Sequence, residues 1–326
     1  MSPKINIGVL GCSQFALRAV IPSLNAMPDH FQLIGIASRD AEKARASATQ
    51  LHTQAFNRYE TLLNNKALDA IYIPLPNALH AEWIKQALNH GLHVLAEKPL
   101  ACSANEVQAL YHKAQTRNLV LLENFQFRFH RQFSRIKEII TRGTLGELRC
   151  IRSSFGFPPF SDRDNIRYQA HLGGGALLDA GAYPIRMSLE LLGEDIRVSA
   201  ARWHLDPDLK IDLWGGGFIQ QDQGNLFSEI AFGFDHFYQC SLDLWGSRGH
   251  LSAKRIFTAP PHYTPVLTLE TDAGIRHIEV PPDNHFINML MHFYALIQNP
   301  SLATPDNRQT IRQAALIEEF RTLANA

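Results

Sequence analysis

The amino-acid sequence predicts an α/β fold: an N-terminal doubly wound parallel sheet, then an α+β domain built on a largely antiparallel open sheet. Three observations carry the prediction. Up to Asn124, short apolar runs alternate with longer amphipathic ones, as β-α-β units require. Beyond Asn124 the apolar residues recur with period two in runs joined by tight turns, the pattern of antiparallel strands. The chain has 326 residues, which suits two domains, and the expected division is 1–124 and 125–326.

The elements follow in order. Residues 5–10 read as the first strand, 15–25 as a helix, 32–37 as the second strand and 41–51 as a helix rich in alanine and charge. Strands at 68–73, 92–96 and 120–123 alternate with helices at 79–90 and 103–117, and Asn77 is placed to cap the first of these two helices. In the second half a helix over 132–142 stops at Gly143, a strand covers 147–155, and Gly173-Gly174-Gly175 precede a helix over 176–192. Strands are expected at 227–234, 238–245 and 266–271, and a final helix at about 305–326 with Pro305 at its start. In the strand at 238–245, Tyr238, Cys240, Leu242 and Leu244 share one face and Gln239, Ser241 and Asp243 the other. The first face needs helices; the second is free to meet another subunit.

Charge narrows the partners. Lysines and arginines total 31, as do aspartates and glutamates, so no long-range field points to nucleic acid or an anionic membrane. A small-molecule partner is expected. From Met1 to Lys4 the chain passes directly into an apolar strand and no later run is long enough to span a bilayer, so neither leader nor membrane anchor is expected and the location should be cytoplasmic. Cys12, Cys102, Cys150 and Cys240 are widely spaced with no metal-ligand or redox pattern, so no metal is expected and the thiols should be reduced.

The chemistry gathers at strand ends, where open α/β sheets bind ligands. The turn after the first strand, Gly11-Cys12-Ser13-Gln14-Phe15-Ala16, fits a dinucleotide fingerprint at Gly11 and Ala16, with Ser13 replacing the middle glycine as a small group able to donate to phosphate. After the second strand stand Ser38 and Arg39 in place of the acidic residue that holds the ribose hydroxyls of NAD, with Lys43 one helical turn on. A hydroxyl and a guanidinium suit a 2′-phosphate, so NADP is expected over NAD. Leu75-Pro76-Asn77 and His80 follow the third apolar strand, Glu97-Lys98-Pro99 the fourth, and Asn124 closes the fifth, where it could contact nicotinamide or substrate. Before the glycine run, Arg163, Asn165 and Arg167 lie in a loop with Phe160 and Tyr168, a basic and aromatic setting suited to a diphosphate and a ring.

These residues together resemble the Gfo/Idh/MocA oxidoreductases. The resemblance rests on Gly11 to Ala16, Ala37-Ser38-Arg39, Pro76-Asn77 with His80, Glu97-Lys98-Pro99, Gly143 to Glu147, and Gly174-Gly175-Ala176-Leu177-Leu178-Asp179 with Gly181. It implies a Rossmann domain for 1–124, a substrate-binding and oligomerisation domain for 125–326, and a homo-dimer or homo-tetramer formed through the C-terminal sheet. Where many members carry a histidine, this chain has Tyr183. With Pro158-Pro159, 164–168 and Tyr183-Pro184, that departure makes it most similar to NADPH-dependent 3-ketoreductases of dTDP-linked 4-keto-6-deoxysugars.

Under this resemblance, reduction of a ketone needs hydride from the nicotinamide and a proton for the carbonyl oxygen. Tyr183 is the expected general acid and Lys98 the expected electrostatic partner, polarising the carbonyl and stabilising the phenolate. Asp179, one helical turn before Tyr183, could orient Lys98 or bond a sugar hydroxyl. Three alternatives stay open: a dehydrogenase of a free sugar, polyol or dihydrodiol, a non-catalytic cofactor-binding regulator, and a glycoside-cleaving enzyme that retains NAD.

Overall fold

The computed structural model describes residues 3–326; Met1 and Ser2, which belong to the run on which the expectation of no leader rests, lie outside them. The chain divides into two compact units. One holds the residues up to Asn124 together with Phe286–Ile311, the other Phe125–His285 with Arg312–Ala326. The expected assignment of all of 125–326 to a second domain is therefore corrected over 286–311, which packs in the first unit.

In the first unit, β1 (Ile5–Leu10), β2 (Phe31–Ala37), β3 (Gln54–Phe56), β4 (Ala70–Ile73), β5 (His93–Glu97) and β6 (Leu121–Asn124) form one sheet in the order β3-β2-β1-β4-β5-β6. Every pairing is parallel. β4 is buried at all four positions, which explains why it reads as a continuous apolar run, whereas β6, equally buried, ends in the polar Glu123 and Asn124. The order reverses at β1, which pairs with β2 on one side and β4 on the other, so the strand ends beside it are the switch point where such sheets take ligands.

The helices of this unit keep the expected order, with local differences. The segment foreseen as one helix over 15–25 opens as a π-helix, Ala16–Val20, and continues as α1 (Ile21–Asn25). α2 (Ala41–Leu51) is capped by Asp40, whose Oδ1 accepts from the amides of Glu42 at 2.9 Å and Lys43 at 3.1 Å. The short β3 and α3 (Tyr59–Leu63) were not foreseen. α4 (Asn77–Asn89) begins at Asn77 itself; Pro76 holds the cap position, correcting the expectation that Asn77 is the cap. α5 (Ala104–Thr116) starts at Ser103, whose hydroxyl accepts from the Glu106 amide and donates to its carboxylate, a reciprocal cap.

The second unit contains α6 (Arg131–Thr141), α7 (Ala182–Leu192) and an eight-stranded sheet. Its strands are β7 (Leu148–Gly156), β8 (Ile196–Asp206), β9 (Ile211–Gln221), β10 (Phe227–Gly233), β11 (Gln239–Gly246), β12 (Gly249–Lys254), β13 (Val266–Thr271) and β14 (Gly274–Glu279), ordered β14-β13-β12-β11-β7-β10-β9-β8. Only β7 and β10 run parallel. β8, β9, β12 and β14 extend the sheet beyond the strands the sequence predicts. α7 packs on β7, β9 and β10. Cys240, Leu242 and Leu244 are buried on the inner face, while the register puts Asp243, Arg152, Glu229 and Phe218 side by side on the outer one. That outer face exposes Trp214 by 42%, Phe218 by 45% and Trp245 by 56%.

Two further helices close the chain, α8 (His285–Gln298) and α9 (Thr304–Ala324). α8 was not foreseen. Its buried Phe286, Met289, Leu290, Phe293 and Leu296 fall at helical spacing, and Phe286 packs edge-on against Phe15 with centroids 5.6 Å apart.

Candidate active site

At the switch point, the amide of Gly11 donates to the Ala37 carbonyl at 2.8 Å, which joins the glycine turn to the end of β2. Gly11 has φ +116°, and a methyl there would stand 2.9 Å from the Leu75 side chain. Only glycine suits this turn. Ser13 Oγ accepts from the Ala16 amide at 3.1 Å, which uses a lone pair and leaves the hydroxyl proton for another acceptor. Ser38, 7% exposed, accepts from the Asp40 amide at 3.2 Å. The Cys12 thiol between these groups is pushed up by burial, while hydrogen bonds from Ser47 and Ser38 and the charge of Lys43 act against it. Burial likewise raises the Tyr59 phenol, opposed by the charge and hydrogen bond of Arg39. Ser38, Arg39 and Lys43 thus gather with Cys12 and Tyr59 at one strand end, a cluster of donors and two exposed cations beside a close-approach glycine. This arrangement fits a dinucleotide with a phosphate on its ribose.

The nicotinamide end of such a ligand would need polar groups on β5 and β6. The last residues of these strands, Glu97 and Asn124, are register partners. Glu97 Oε1 accepts from Tyr72 Oη at 2.6 Å and from Asn124 Nδ2 at 2.7 Å. Asn124 is fully buried and its Oδ1 has no hydrogen-bond partner among the described residues, as expected of an acceptor reserved for a ligand amide. Lys98 follows at 8% exposure on a strap fixed from several sides. The Lys98-Pro99 peptide is cis, the Pro99 carbonyl lies 2.7 Å from His80 Nδ1, and the Leu100 amide donates to Glu123 Oε1 at 3.1 Å. His80 Nε2 lies 2.7 Å from the Leu75 carbonyl, so one buried ring ties the loop after β4 to the strap after β5. Burial pushes the His80 imidazole below its ordinary value, the two carbonyls resist, and the Lys98 charge adds to the lowering.

In the second unit, the helix foreseen over 176–192 opens as a π-helix, Leu177–Gly181, ahead of α7. Gly175, at φ +113°, lets Asp212 come so close that a methyl would stand 2.3 Å from its Oδ1. Asp212 Oδ2 then accepts from the Leu177 amide at 2.5 Å, holding the helix start. Burial raises the Asp212 carboxyl, and the amide donors oppose it. The amides of Gly174 and Gly175 donate to the carbonyls of Gln169 and Arg167, each at 3.0 Å, fastening the Arg167 turn here. Arg167 Nε donates to Asp179 Oδ2 at 2.5 Å, and its guanidinium lies 5.0 Å over the Phe160 ring. The Asp179 charge, outweighing burial, holds Arg167 protonated more firmly, and Tyr183 and Tyr168 add to the effect. Tyr183, 7% exposed, is ringed by Phe125, Phe155 and Phe257 at centroid distances of 5.7, 5.1 and 5.4 Å.

The expected substrate residues therefore separate. Arg167 joins Asp179 and Tyr183. Asn165 Oδ1 accepts from the Arg167 amide at 3.1 Å and caps the turn Ile166–Tyr168, while Arg163 is exposed on the preceding loop. Gln14 is also exposed, and Phe15 packs on Phe286. Sequence reasoning missed Tyr59, Tyr72, Glu123 and Gln126. Gln126 carried a readable signal, a polar residue between Phe125 and Phe127 two positions after Asn124. Among the described residues no three His, Cys, Asp or Glu side chains are arranged to hold a metal.

A glycine turn at the switch point, donors at the end of β2 and a lysine strap after β5 define the class: a dinucleotide-dependent oxidoreductase with a separate second unit. Residues 5–125 match the model of the oxidoreductase family with an NAD-binding Rossmann fold, and 133–261 that of the GFO/IDH/MocA C-terminal domain. The chain belongs to the Gfo/Idh/MocA oxidoreductase family. It is 36% identical to the dTDP-3,4-didehydro-2,6-dideoxy-alpha-D-glucose 3-reductase of Streptomyces violaceoruber, over 98% of this chain and 96% of that one. It is 31% identical to D-xylose 1-dehydrogenase (NADP(+)) 2 of Haloferax volcanii, over 93% and 92%. Among solved structures, the 3-ketoreductase KijD10 of Actinomadura kijaniata, in complex with NADP and TDP-benzene, superposes with a TM-score of 0.94 at 35% identity over 98% of each chain.

Proposed function

We propose that the protein is an NADP(H)-dependent reductase of a nucleotide-linked keto sugar, acting at C3. The observation that carries the reading is Lys98, an ammonium 8% exposed at the end of β5 on a strap held by His80 and Glu123. A buried cation has a task to perform. The likeness to a dTDP-sugar 3-reductase and to a ketoreductase solved with NADP and TDP-benzene supports the choice of substrate and cofactor.

When bound, the reduced nicotinamide supplies a hydride. Gly11 and Ser13 take the pyrophosphate, and Ser38, Arg39 and Lys43 the 2′-phosphate; Leu75, Pro76 and Asn77 line the loop that follows β4. Asn124 offers Oδ1 to the carboxamide. Lys98 polarises the carbonyl, an effect commonly worth a few kcal/mol. Tyr183 gives its proton to the carbonyl oxygen, completing the alcohol. Arg167 holds Asp179 and, with Arg163, offers charge to the diphosphate.

The exposed aromatic face of the eight-stranded sheet supports a homo-oligomer formed there, since a patch of this kind marks an interface. Light scattering of Trp245→Asp should report a smaller particle than the native chain. A cytoplasmic location fits the likeness to a dTDP-sugar 3-reductase, and among the described residues no helix is long and apolar enough to cross a membrane.

The test is NADPH oxidation with dTDP-linked keto sugars and free sugars in parallel, for the native chain, Lys98→Ala and Tyr183→Phe. Turnover of the nucleotide sugar, lost in both variants, supports the reading. Turnover of free sugars alone favours the dehydrogenase reading that the xylose-dehydrogenase likeness keeps in play.

A further inference from the structure

Gln126 is 3% exposed in the 3-10 turn Gln126–Phe129. Its Nε2 lies 3.3 Å from the Phe257 carbonyl oxygen and 3.4 Å from Tyr183 Oη, while its Oε1 is buried without a hydrogen-bond partner among the described residues. The carbonyl fixes the orientation of the amide. A flipped side chain would set Oε1 against an oxygen that can only accept, so Nε2 must face Phe257, and its second hydrogen then faces Tyr183. Toward Gln126 the phenol can only accept. Its own proton is thereby directed to a different acceptor, as a general acid requires.

We propose that Gln126 is a positioning residue for Tyr183: it holds the phenol oxygen as an acceptor and stabilises the phenolate that proton transfer leaves behind. This rests on the reading of Tyr183 as the proton donor. In the reductive direction, hydride adds to the carbonyl carbon, the C=O π pair moves to oxygen, and the Tyr183 O–H bond breaks to protonate that oxygen. The negative charge then sits on Tyr183 Oη, 3.4 Å from an amide N–H. Phe125, Phe155 and Phe257 exclude water around the ring, so a single donor there counts for more than it would in solvent. Gln126 lies 57 residues from Tyr183, which is why no local motif reveals the pair.

The experiment compares native, Gln126→Met and Gln126→Glu proteins, each first checked by thermal melting. The Tyr183 titration is read in the NADP complex by NMR of Cζ-labelled tyrosine, the signal being assigned by its loss in Tyr183→Phe. Removing a donor to the charged form should raise the Tyr183 pKa by about one unit in Gln126→Met, and a carboxylate in Gln126→Glu should raise it further. The alkaline limb of kcat for ketone reduction should move with it, kcat at neutral pH should fall about tenfold, and KM should stay within about twofold. An unmoved titration in a folded Gln126→Met protein, with Tyr183→Phe inactive, overturns the role of Gln126 alone. Native turnover in Tyr183→Phe overturns the acid role and this inference with it.

Discussion

His80 Nδ1 lies 2.7 Å from the carbonyl oxygen of Pro99, the residue that follows Lys98, and the imidazole is completely buried. With its other nitrogen 2.7 Å from the Leu75 carbonyl, the ring is a crosspiece between the loop after β4 and the strap after β5. His80→Leu should cost about 1–3 kcal/mol through the loss of a buried donor and leave the strap less ordered. Chemical denaturation measures the first effect. NADPH affinity weakened at least as much as stability measures the second, and native affinity would show that the strap keeps its shape without the ring.

Arg39 should choose the cofactor. Arg39→Ala is expected to weaken NADPH binding by about ten- to a hundredfold, as loss of a charge-assisted phosphate contact does, while NADH binding changes less than about twofold. Fluorescence titration with both cofactors checks this. Tyr59→Phe, which removes a hydrogen-bond partner of Arg39, should give the same change in weaker form.

Arg167 and Asp179 should act as one unit. Arg167→Gln and Asp179→Asn are each expected to lower kcat/KM by about tenfold, and the double variant by little more than either, because the second change removes a pairing already lost. Strictly multiplicative effects would show that the two groups act separately.

Acid should destabilise the second unit through His130 and His285, whose ring centroids stand 5.6 Å apart. Burial, with the charge of His130, pushes His285 down to about 3; burial also lowers His130, with Asp283 opposing and Arg131 assisting. Above the ordinary imidazole value of about 6.5 neither the folded nor the unfolded chain holds these protons. Below it the unfolded chain takes them up and the folded chain refuses, so stability is lost as pH falls, by about 1.4 kcal/mol per pH unit for each ring. For His285 the loss continues down to about 3. Unfolding free energies measured through this range should have a shallower slope in His285→Gln.

The parallel sheet could be read from the sequence because a strand covered on both faces is largely apolar, as β4 is throughout and β6 is at Leu121 and Leu122. β3 has only three residues, of which Gln54 is exposed, and gave no such signal. β8 and β9 were hidden for a different reason. One face of each lies open, with Trp214 and Phe218 on it, and Gly215-Gly216-Gly217 interrupts the alternation of β9. α8 has a buried stripe, but Met291, 38% exposed, and the half-exposed Ile287 blur it into an apolar run. At the site, Lys98 announced itself by standing at a strand end. The surroundings of Tyr183 did not, since Phe125, Phe155 and Phe257 come from three distant stretches of chain.

The return of Phe286–Ile311 to the first unit has a consequence for how the protein is made. Phe286 packs on Phe15, and Tyr294 lies edge-on to His30 and Phe31 at 4.9 and 5.9 Å, so parts of the N-terminal core wait for residues near the end of the chain. On the ribosome the first unit is thus complete only after nearly the whole protein has been synthesised. A chain halted after Asn124 lacks the ring partners of Phe15, His30 and Phe31, so a first unit excised there should be less stable than one that carries α8.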